Sequence, residues 1–482
     1  KEYRRQRQMC IRDRHYGLRG RFPGRENTLV EILGAYSFFA ACGDREMSEK
    51  FLYLWDTGYS ALSSTFTSWT NKINYTDTLG QLVLFEEVLA QAQTAGYTPQ
   101  APSDTTFIKP YGGYLVHRQD NWMLSTKGFS KYVWDYEASA SENKLGRYVS
   151  YGTTVLFTDD DQSGGIDLEN GWDWTRWPGS TTLRLQNEEL LSNSSARNFS
   201  DQAFLGGAAS GNEGVFGMSL HDNTFDPSFR AKKSWFCFGD QIICLGSDIQ
   251  NTDADSYTQT TLFQTAVNAQ GAPLYTSFAE GAAPFPGAYQ GQAGESAWLL
   301  DTAGNGYLVP DAAGLVVESS TQNSLNSSGK YATSGDYAAA YFNHGYAPGN
   351  AGYQYVIVPQ TSVQALQERA ANPGYTVLQQ DSRAHAVRSG ETTGYLIFDG
   401  TDSSFSFGKL QSVSAPCAVM ERKISDTEFN MTVSDPDLRV VDTTQNEVNY
   451  ETEVIPSQPK TLTLTLNLSL IHISEPTRLR CI

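Results

Sequence analysis

The stretch SWFCFGDQIICLGSDI, residues 234–249, contains two apolar runs separated by Gly239-Asp240. Aromatic and β-branched runs on either side of a Gly-Asp pair are typical of a β-hairpin, so the stretch predicts two paired antiparallel strands. Cys237 and Cys244 flank the predicted turn, which leaves a disulfide or two buried thiols as alternatives. Buried thiols are the preferred interpretation, for these two cysteines and for Cys42 and Cys417.

The strand pattern extends in both directions from this hairpin. Runs bounded by Gly, Asn and Asp recur at 114–119, 121–128, 131–137 and 146–157, and the pattern continues to Asn467. A short helix is predicted within SVQALQERAAN, residues 362–372. A change of composition at Asn372-Pro373-Gly374 predicts a boundary between a large central β domain and a smaller C-terminal one.

Before residue 104 the apolar residues recur every three to four positions, which predicts helices at 27–43, 48–58 and 77–96. Asn27 and Asp77 are the predicted N-caps, and Gly43 and Gly96 the predicted helix ends. A helical segment followed by runs of strands indicates separate α and β domains rather than a parallel α/β sheet.

The two ends of the chain are related through their coding sequence. Codons for LSLIHI, residues 468–473, can be chosen so that their reverse complement encodes MCIRDR, residues 9–14. This inverted repeat is typical of a translated sequencing-library adapter, so residues 1–14 and 468–482 are excluded from fold reasoning. We expect natural sequence from His15 to Asn467, as a fragment cut at both ends.

Charge and composition limit the function. The formal net charge is −18, to which residues 1–14 and 468–482 contribute +4 and +1, so residues 15–467 carry −23. This charge disfavours non-specific nucleic-acid binding and requires a locally basic cleft for any polyanionic ligand. Since no apolar run reaches 18 residues, the sequence predicts no membrane-spanning helix.

Most familiar catalytic motifs are missing. The sequence has no G-x-S-x-G elbow, Walker loop, dinucleotide fingerprint or His-Glu-x-x-His helix. Asp159-Asp160-Asp161 followed by Ser163-Gly164-Gly165 lacks the bidentate glutamate of a Ca²⁺ loop, so an acidic turn is the preferred interpretation.

Two stretches contain charged residues that could act in a binding or catalytic site. LRGRFPGREN, residues 18–27, places Arg19, Arg21 and Arg25 in a loop rich in Gly and Pro, where guanidinium groups can bind carboxylate or sulfate oxygens; a solvated basic turn explains it equally well. Glu137 ends a predicted aromatic strand, and Arg147 lies on the next one. A carboxylate beside rings is often desolvated, which raises its pKa, although a surface glutamate at a strand end is equally common.

With further motifs, these stretches resemble polysaccharide lyase family 8, the chondroitin, hyaluronan and xanthan lyases. The resemblance covers nearly all of residues 15–467, and the residues around Glu137 and Arg147 are most similar to the chondroitin sulfate ABC type. The matching motifs include GRYVSYGTT (146–154), GWDWTRWPGSTT (171–182), YFNHGYAPGNAGYQYVIVP (341–359) and SAPCAVM (414–420).

The resemblance implies an α+β multidomain fold. Residues 15–103 would be the C-terminal end of an α/α toroid, 104–373 a central β-sandwich lyase domain, and 374–467 a C-terminal β domain. The implied reaction is β-elimination at a uronic acid, in which the C5 proton is removed, the 4-O-glycosidic bond breaks and a 4,5-unsaturated uronate remains. The family uses an Asn to neutralise the C5 carboxylate, a His and a Tyr for proton transfer, and an Arg and a Glu that complete the site.

Site residues follow from matching family motifs one by one. The family's Gly-Arg-x-x-x-Arg loop matches Arg21 and Arg25, and its glutamate, ten residues before the basic residue of a Gly-[Arg/Lys]-Tyr strand, matches Glu137. Arg21 and Glu137 are the predicted catalytic residues: Arg21 would hydrogen-bond the glycosidic oxygen or the catalytic Tyr, and Glu137 would hold Arg21. Arg25 and Arg19 are predicted to bind substrate anions.

The family's Asn, His and Tyr belong upstream of the arginine loop, and we expect no natural residue before His15. His15-Tyr16 does not replace the pair, because the family's residues are not adjacent to each other. We therefore expect the chain to be a lyase by ancestry and inactive by itself. His344 is interpreted as a structural histidine rather than a base.

Further expectations concern partners and an alternative function. The resemblance implies an acidic polysaccharide substrate, no nucleic-acid or membrane partner, a monomer, a secreted or periplasmic location and no required cofactor; whether a structural divalent cation binds stays open. The alternative is a non-catalytic carbohydrate-binding or adhesin β-sandwich, with Trp172, Trp174 and Trp177 stacking on sugars. A structural role for these tryptophans inside the sandwich is the preferred interpretation.

Overall fold

A computed structural model of the protein describes residues 36, 39–40, 44–54, 76–101, 103–119, 121–136, 138, 143–158, 164–191, 198–267, 273–400, 404–439 and 460–467. The chain forms two compact units, one within residues 22–103 and one that includes Asp104 and the β-strands. Among the described residues, no helix is long and apolar enough to cross a membrane.

The smaller unit is helical, as the apolar spacing predicts. Helix α1 spans Thr76–Ala95, and residues 45–54 form a second helical stretch. Ala40, Leu52, Val88 and Ala92 form a small buried cluster. The described helices therefore bury their apolar faces against each other within this unit.

Helix α1 ends where the sequence predicts and begins slightly earlier. Gly96 adopts φ +67°, its N–H donates to the carbonyl of Gln93, and the Tyr97 N–H donates to that of Ala92 at 2.9 Å. These two hydrogen bonds end the helix at a residue in the left-handed conformation, which glycine adopts most easily. The predicted N-cap at Asp77 is wrong, because the helix already begins at Thr76. Asn27 and Gly43 lie outside the described residues.

The larger unit is built from antiparallel sheets. A four-stranded meander comes first and runs in chain order through β1 (Thr105–Lys109), β2 (Tyr114–Gln119), β3 (Trp122–Lys127) and β4 (Thr153–Thr158). A five-stranded sheet, here called the outer sheet, contains β5 (Thr181–Leu183), β10 (Tyr257–Ala266), β12 (Gly287–Gln290), β15 (Leu315–Leu325) and β16 (Ala332–Tyr346) in the order β12-β15-β16-β10-β5.

The largest sheet, here called the central sheet, has eight strands. They are β6 (Leu205–Ser210), β7 (Glu213–His221), β8 (Arg230–Phe238), β9 (Gln241–Gln250), β11 (Tyr275–Thr276), β13 (Ala297–Leu300), β14 (Gly306–Val309) and β17 (Ala351–Val358). Their spatial order is β11-β13-β14-β17-β9-β8-β7-β6. The hairpin predicted at residues 234–249 is therefore confirmed as β8 and β9, which pair in the interior of this sheet.

Two further sheets follow along the chain. The C-terminal sheet contains β18 (Tyr375–Gln380), β19 (Ala384–Ser389), β20 (Thr392–Ile397), β22 (Cys417–Lys423) and β23 (Phe429–Ser434), ordered β18-β19-β20-β22-β23. A two-stranded sheet pairs β21 (Leu410–Val413) with β24 (Leu464–Leu466). The shorter elements are helix α2 (Asn187–Leu190), helix α3 (Val363–Ala371) and a 3₁₀ turn at Gly146–Tyr148. Helix α3 confirms the helix predicted within 362–372.

The central sheet is buried on both faces. On β8 and β9, Trp235, Cys237, Ile242 and Cys244 join the same core as residues of the outer sheet. The alternate residues Phe236, Phe238, Ile243 and Leu245 join a second core with residues of the C-terminal sheet. This arrangement explains why the hairpin sequence is continuously apolar instead of alternating between apolar and polar residues.

A tryptophan cluster fills the core between the outer and central sheets. Trp172, Trp174 and Trp177 are 0 % exposed, and neighbouring rings lie with their centroids 5.4 to 5.9 Å apart. The Trp174 indole N–H donates to the carbonyl of Leu325 at 2.8 Å. The structural interpretation of this cluster is confirmed, because no sugar can stack on a fully buried ring.

One predicted strand is wrong, and another begins later than predicted. Residues 131–136 form bends rather than a strand, and Arg147 lies in the 3₁₀ turn Gly146–Tyr148 rather than on the next strand, which begins only at Thr153. The Lys131 N–H donates to the carbonyl of Gln202, and the Asp135 N–H donates to that of Asn198. Gln202 and Asn198 both lie in loops. Aromatic content favours a strand, but these tertiary hydrogen bonds determine the conformation.

His385 connects the central and C-terminal sheets. Its Nδ1 lies 2.7 Å from Ser234 Oγ of β8, and its Nε2 lies 2.9 Å from Ser247 Oγ of β9. The ring is fully buried, and burial lowers the pKa of His385 to about 3. The histidine is therefore neutral at neutral pH and joins the two layers through its hydrogen bonds.

The three described cysteines support the prediction of buried thiols. Cys237, Cys244 and Cys417 are free and buried, and burial raises the pKa of each thiol, to about 12 for Cys244 and Cys417.

We expect native protein to resist alkylation at all three sites and unfolded protein to react, because the thiolate is the reactive form. Alkylation with and without denaturant, followed by peptide mass spectrometry, checks this. A Cys237–Cys244 disulfide would instead leave both peptides unlabelled in denaturant until a reductant is added.

The free energy of unfolding should depend on pH through His385. Because the folded pKa lies below the unfolded value of about 6.5, the unfolded chain binds this proton first, and the free energy of unfolding decreases as pH falls below 6.5. The stability deficit of His385→Gln relative to the unmodified protein should therefore shrink by about 2 kcal/mol between pH 7 and pH 5. Urea unfolding at both pH values measures this difference. A deficit that stays constant between the two pH values would contradict it.

Candidate active site

The four residues predicted to form the site, Arg19, Arg21, Arg25 and Glu137, lie outside the described residues. Their predicted roles therefore stay predictions. The structure does describe the segments on either side of Glu137, residues 130–136 and 143–151, together with the loops that contact them. These segments define the candidate site.

Residues 130–136 form the approach to Glu137, and their backbone is held from several directions. The Ser130 N–H donates to the carbonyl of Val133 at 2.8 Å, and the Lys131 N–H donates to that of Gln202 at 2.8 Å. Val133, Asp135 and Tyr136 are buried. The segment is irregular in conformation, yet several of its backbone groups are hydrogen-bonded and three of its side chains are buried.

Asp135 is the main anchor of this approach. Its Oδ1 accepts hydrogen bonds from the backbone N–H groups of Tyr136 at 2.6 Å and Asn198 at 2.9 Å, and its Oδ2 accepts from Asn198 Nδ2 at 3.2 Å. Burial raises the pKa of Asp135 to about 7, although these donated bonds act in the opposite direction. The sequence predicts a desolvated carboxylate at Glu137, and the structure shows a desolvated carboxyl at Asp135, two residues earlier.

The described segments on either side of Glu137 are joined to each other. The Ser150 hydroxyl donates to the backbone carbonyl of Asp135, which connects residues 130–136 with residues 143–151, here called the returning flank. On the returning flank, Tyr148 and Tyr151 are buried with ring centroids 5.0 Å apart, and the Tyr151 hydroxyl donates to Asp222. Burial raises the pKa of Asp222, so this carboxyl also lies in a desolvated environment.

A cleft of about 400 Å³ opens beside the returning flank. The Arg147 guanidinium lies 3.9 Å from the centre of the Phe225 ring and donates to the carbonyl of Glu189 at 2.7 Å. The lining residues are Arg147, Tyr148, Leu183, Leu185, Glu189, Asp222, Phe225, Asp226, Thr252 and Asp253. With four carboxylic residues and one arginine, this cleft does not suit a polyanion without further basic groups.

Tyr132 connects the approach segment to the far end of the chain. Its hydroxyl donates to Asp437 Oδ1 at 2.7 Å across 305 residues of sequence. Burial and the neighbouring Asp437 carboxylate raise the pKa of Tyr132 well above its usual value. Sequence reasoning missed this contact and the role of Asp135, because neither residue belongs to a motif whose spacing indicates a partner.

The described histidines have structural contacts. His117 bonds Thr106 Oγ1 and the Gly239 carbonyl, each at 2.9 Å, and burial lowers its pKa. His344 Nε2 lies 2.9 Å from Thr260 Oγ1, and burial lowers the pKa of His344 to about 3. The structural interpretation of His344 is confirmed, because a base with this pKa and this partner is poorly suited to proton abstraction at neutral pH.

In the part of the chain that the structure describes, no group of three or more His, Cys, Asp or Glu side chains is arranged to hold an ion. Asp159, Asp160 and Asp161 lie outside that part.

Solved structures that are similar to this chain define the class of fold. The Paenibacillus xanthan lyase structure matches with a TM-score of 0.67 and 22 % identity, over 85 % of this chain and 39 % of that one. The Streptomyces coelicolor A3 chondroitin AC lyase, solved in complex with chondroitin sulphate, matches with a TM-score of 0.63 and 20 % identity, over 85 % of this chain and 52 % of that one. The antiparallel β-sandwich fold of these lyases is therefore the fold of the larger unit.

Sequence comparison then gives the family. The super-sandwich domain of polysaccharide lyase family 8 matches residues 110–370, and its C-terminal β-sandwich domain matches residues 376–439. A chondroitin sulfate ABC exolyase from Bacteroides thetaiotaomicron is 34 % identical over 346 residues, which are 68 % of this chain and 33 % of the relative. One from Proteus vulgaris is 32 % identical, over 67 % of this chain and 32 % of the relative. The chain belongs to polysaccharide lyase family 8, and it spans about a third of the length of these relatives.

The raised pKa of Asp135 gives a test of the anchor. Because the folded pKa lies above the unfolded value, the native state keeps this proton longer, and the free energy of unfolding decreases as pH rises from about 4 to about 7. Asp135→Asn removes this dependence, so its stability relative to the unmodified protein should increase by about 3 kcal/mol between pH 5 and pH 8.

Denaturant unfolding of both proteins at the two pH values measures this change. Asp311→Asn is the matched control, since Asp311 also accepts two backbone N–H bonds, from Gly294 and Ala313, but is exposed to solvent. Equal pH dependence in Asp135→Asn and the unmodified protein would show that Asp135 is ionised throughout this range.

Proposed function

We propose that the protein containing this chain is a polysaccharide lyase that cleaves chondroitin or dermatan sulfate by β-elimination. The observation that carries the proposal is the 34 % identity over 346 residues to a relative named chondroitin sulfate ABC exolyase. The second relative, at 32 % identity, has the same name. The substrate class is therefore a glycosaminoglycan that contains uronic acid and sulfate groups.

The elimination sets three requirements. The uronate carboxylate must be neutralised so that the C5 proton becomes more acidic, a base must remove this proton, and an acid must protonate the leaving O4. The electron pair of the C5–H bond forms the new C4=C5 double bond as the C4–O4 bond breaks. No water is consumed, and the product is a 4,5-unsaturated uronate.

In this proposal, Arg21 and Glu137 complete the site, and Arg25 and Arg19 bind substrate anions. Arg21 would donate to the glycosidic oxygen, or to a tyrosine that transfers the proton, and so stabilise the charge that develops there. Glu137 would accept a charge-assisted hydrogen bond from Arg21 and hold its guanidinium in place. The basic loop of residues 18–27 would supply the positive charge that an acidic chain needs to bind a sulfated polymer.

Several finer features belong to the same proposal. The helical unit would be the C-terminal end of an α/α toroid. We propose that the reaction requires no cofactor, because an Asn would neutralise the C5 carboxylate, and that the protein acts as a monomer. A polymeric substrate must be met outside the cytoplasm, so we propose a secreted or periplasmic location.

The test is the formation of unsaturated uronate by the protein encoded by the complete reading frame. Ultraviolet absorbance detects the conjugated C4=C5 bond, which hydrolysis does not produce, during incubation with chondroitin sulfate. We expect Glu137→Gln and Arg21→Ala to lower kcat by roughly 10²- to 10⁴-fold. Glu280→Gln and Arg230→Ala, at exposed positions of the sandwich, are the matched controls.

Products without the double bond, or full activity in Glu137→Gln, would contradict the proposal. The 482-residue chain is assayed alongside, and the sequence predicts that it forms no product, because no stretch in it matches the family's Asn, His and Tyr. Product formation by that chain would show that the base lies within it.

A further inference from the structure

The cleft beside the returning flank has no role in the proposed function. It has a volume of about 400 Å³, and the structure describes every residue that lines it. Its walls come from the turn between β7 and β8 (222–229), the turn between β9 and β10 (251–256), and the Gly146–Tyr148 turn together with helix α2. This volume is within the range of pockets that bind small molecules.

The two loop walls hold each other in place through Ser228. Its hydroxyl donates to Asp226 Oδ1 at 2.6 Å and accepts from the N–H of Thr252 at 2.9 Å and from the Thr252 hydroxyl at 3.1 Å. The first turn is also closed by backbone bonds from the Asp222 N–H to the Phe229 carbonyl and from the Phe229 N–H to the Asp226 carbonyl. The walls are therefore preformed, which lowers the entropy cost of binding a ligand.

The carboxylic residues of the cleft are hydrogen-bond acceptors in fixed positions. One oxygen of each accepts a nearby backbone N–H, from Gln186 to Glu189, from Phe225 to Asp222, from Ser228 to Asp226 and from Ser256 to Asp253. The second oxygen of Asp226 is buried and has no hydrogen-bond partner among the described residues. A ligand hydroxyl that donates to this oxygen would be favourable, because a buried acceptor without a partner costs free energy.

The same cleft contains one strong donor and one exposed aromatic ring. The Arg147 guanidinium stacks on Phe225 and donates to the Glu189 carbonyl, whereas Arg147 Nε is buried and lacks a hydrogen-bond partner in the described ranges. Phe225 is still 38 % exposed, although it belongs to an ordered turn. An exposed ring among fixed polar groups suits a ligand that has an apolar face and polar edges.

These features favour one chemical class of ligand. Four carboxylic residues and one arginine disfavour a sulfate or carboxylate group, and an apolar ligand would leave the polar atoms unpaired. The described residues contain no group of three or more His, Cys, Asp or Glu arranged to hold a metal ion. An uncharged sugar fits, because its hydroxyls both donate to carboxylates and accept from a guanidinium, and its C–H face can pack on an aromatic ring.

We propose that this cleft binds one uncharged sugar ring, with its C–H face packed on Phe225 and its hydroxyls bonded to Asp226 and Arg147. The inference goes beyond the proposed function, since it requires neither Glu137 nor Arg21. Two sources supply this chemistry: the N-acetylgalactosamine unit of an unsulfated chondroitin chain, and a neutral glycan. In both cases the cleft disfavours a sulfate group on the bound sugar.

The test is direct binding of N-acetylgalactosamine to the 482-residue chain, measured by saturation-transfer NMR titration. We expect a Kd of about 1 mM, as is typical of a ligand of this size. Phe225→Ala should weaken binding by at least about ten-fold, because the aromatic contact is lost. Asp226→Asn keeps an acceptor for Ser228 but replaces the unpartnered oxygen with a donor, so it should weaken binding by about five-fold or more.

Each variant has a matched control. Phe285→Ala removes a ring that is 43 % exposed and does not line the cleft. Asp311→Asn changes another aspartate whose Oδ1 accepts two N–H bonds within turns, also away from the cleft. Both controls should bind the sugar as the unmodified chain does. Glucuronate should bind at least about ten-fold more weakly than N-acetylgalactosamine, because its carboxylate is repelled. Thermal unfolding of each variant confirms that it is folded.

The inference is wrong if N-acetylgalactosamine shows no saturable binding well above the expected Kd, or if Phe225→Ala and Phe285→Ala bind it equally well. Equal binding of glucuronate, or displacement of the sugar by tetramethylammonium, would show that the cleft binds ions and would also overturn it.

Competition identifies the source of the sugar. Displacement by an unsulfated chondroitin oligosaccharide assigns the site to the substrate of the proposed function, and displacement only by a neutral galacto-oligosaccharide assigns it to another glycan; either result supports the site. Because binding is measured without elimination, an inactive complete protein would overturn the proposed function and leave this inference standing.

Discussion

The central sheet must bury both of its faces, and most of the larger unit follows from this constraint. The side chains of β8 and β9 point alternately into two cores, so Trp235 belongs to one core and Phe236 to the other. Neither face can be left exposed to water without losing the burial free energy of large apolar side chains. The outer sheet covers one face and the C-terminal sheet the other, which explains why two matched domains share one sheet as their common layer.

Specific hydrogen bonds also cross the boundary between the two domains. His385 reaches from the C-terminal sheet to two serines of β8 and β9, and Tyr132 reaches from the central part of the chain to Asp437. Such bonds are buried or partly buried, where an unpaired partner costs more than the bond itself contributes. The two domains are therefore joined by specific polar contacts in addition to apolar packing. The approach to Glu137 is one of the places where both domains act on the same short segment.

Sequence reasoning was most successful where the signal is local. The β8–β9 hairpin, helix α3 and the end of helix α1 at Gly96 all depend on residues within a few positions of each other. It was least successful at residues 131–136, where aromatic residues favour a strand but the backbone bonds loop residues more than 60 positions away. The tryptophan motif was assigned to the interior correctly, although its partners, such as the Leu325 carbonyl, were not predictable from spacing.

The sequence determined the family to which the chain belongs. It also predicts Arg21, Arg25 and Glu137 as site residues, because motif residues keep a fixed spacing along the chain, which can be recognised without coordinates. Only the tertiary structure decided that Asp135 is desolvated and that Tyr132 meets Asp437 across 305 residues. Burial and long-range hydrogen bonds depend on which surfaces pack together, and no local pattern in either segment specifies its distant partner.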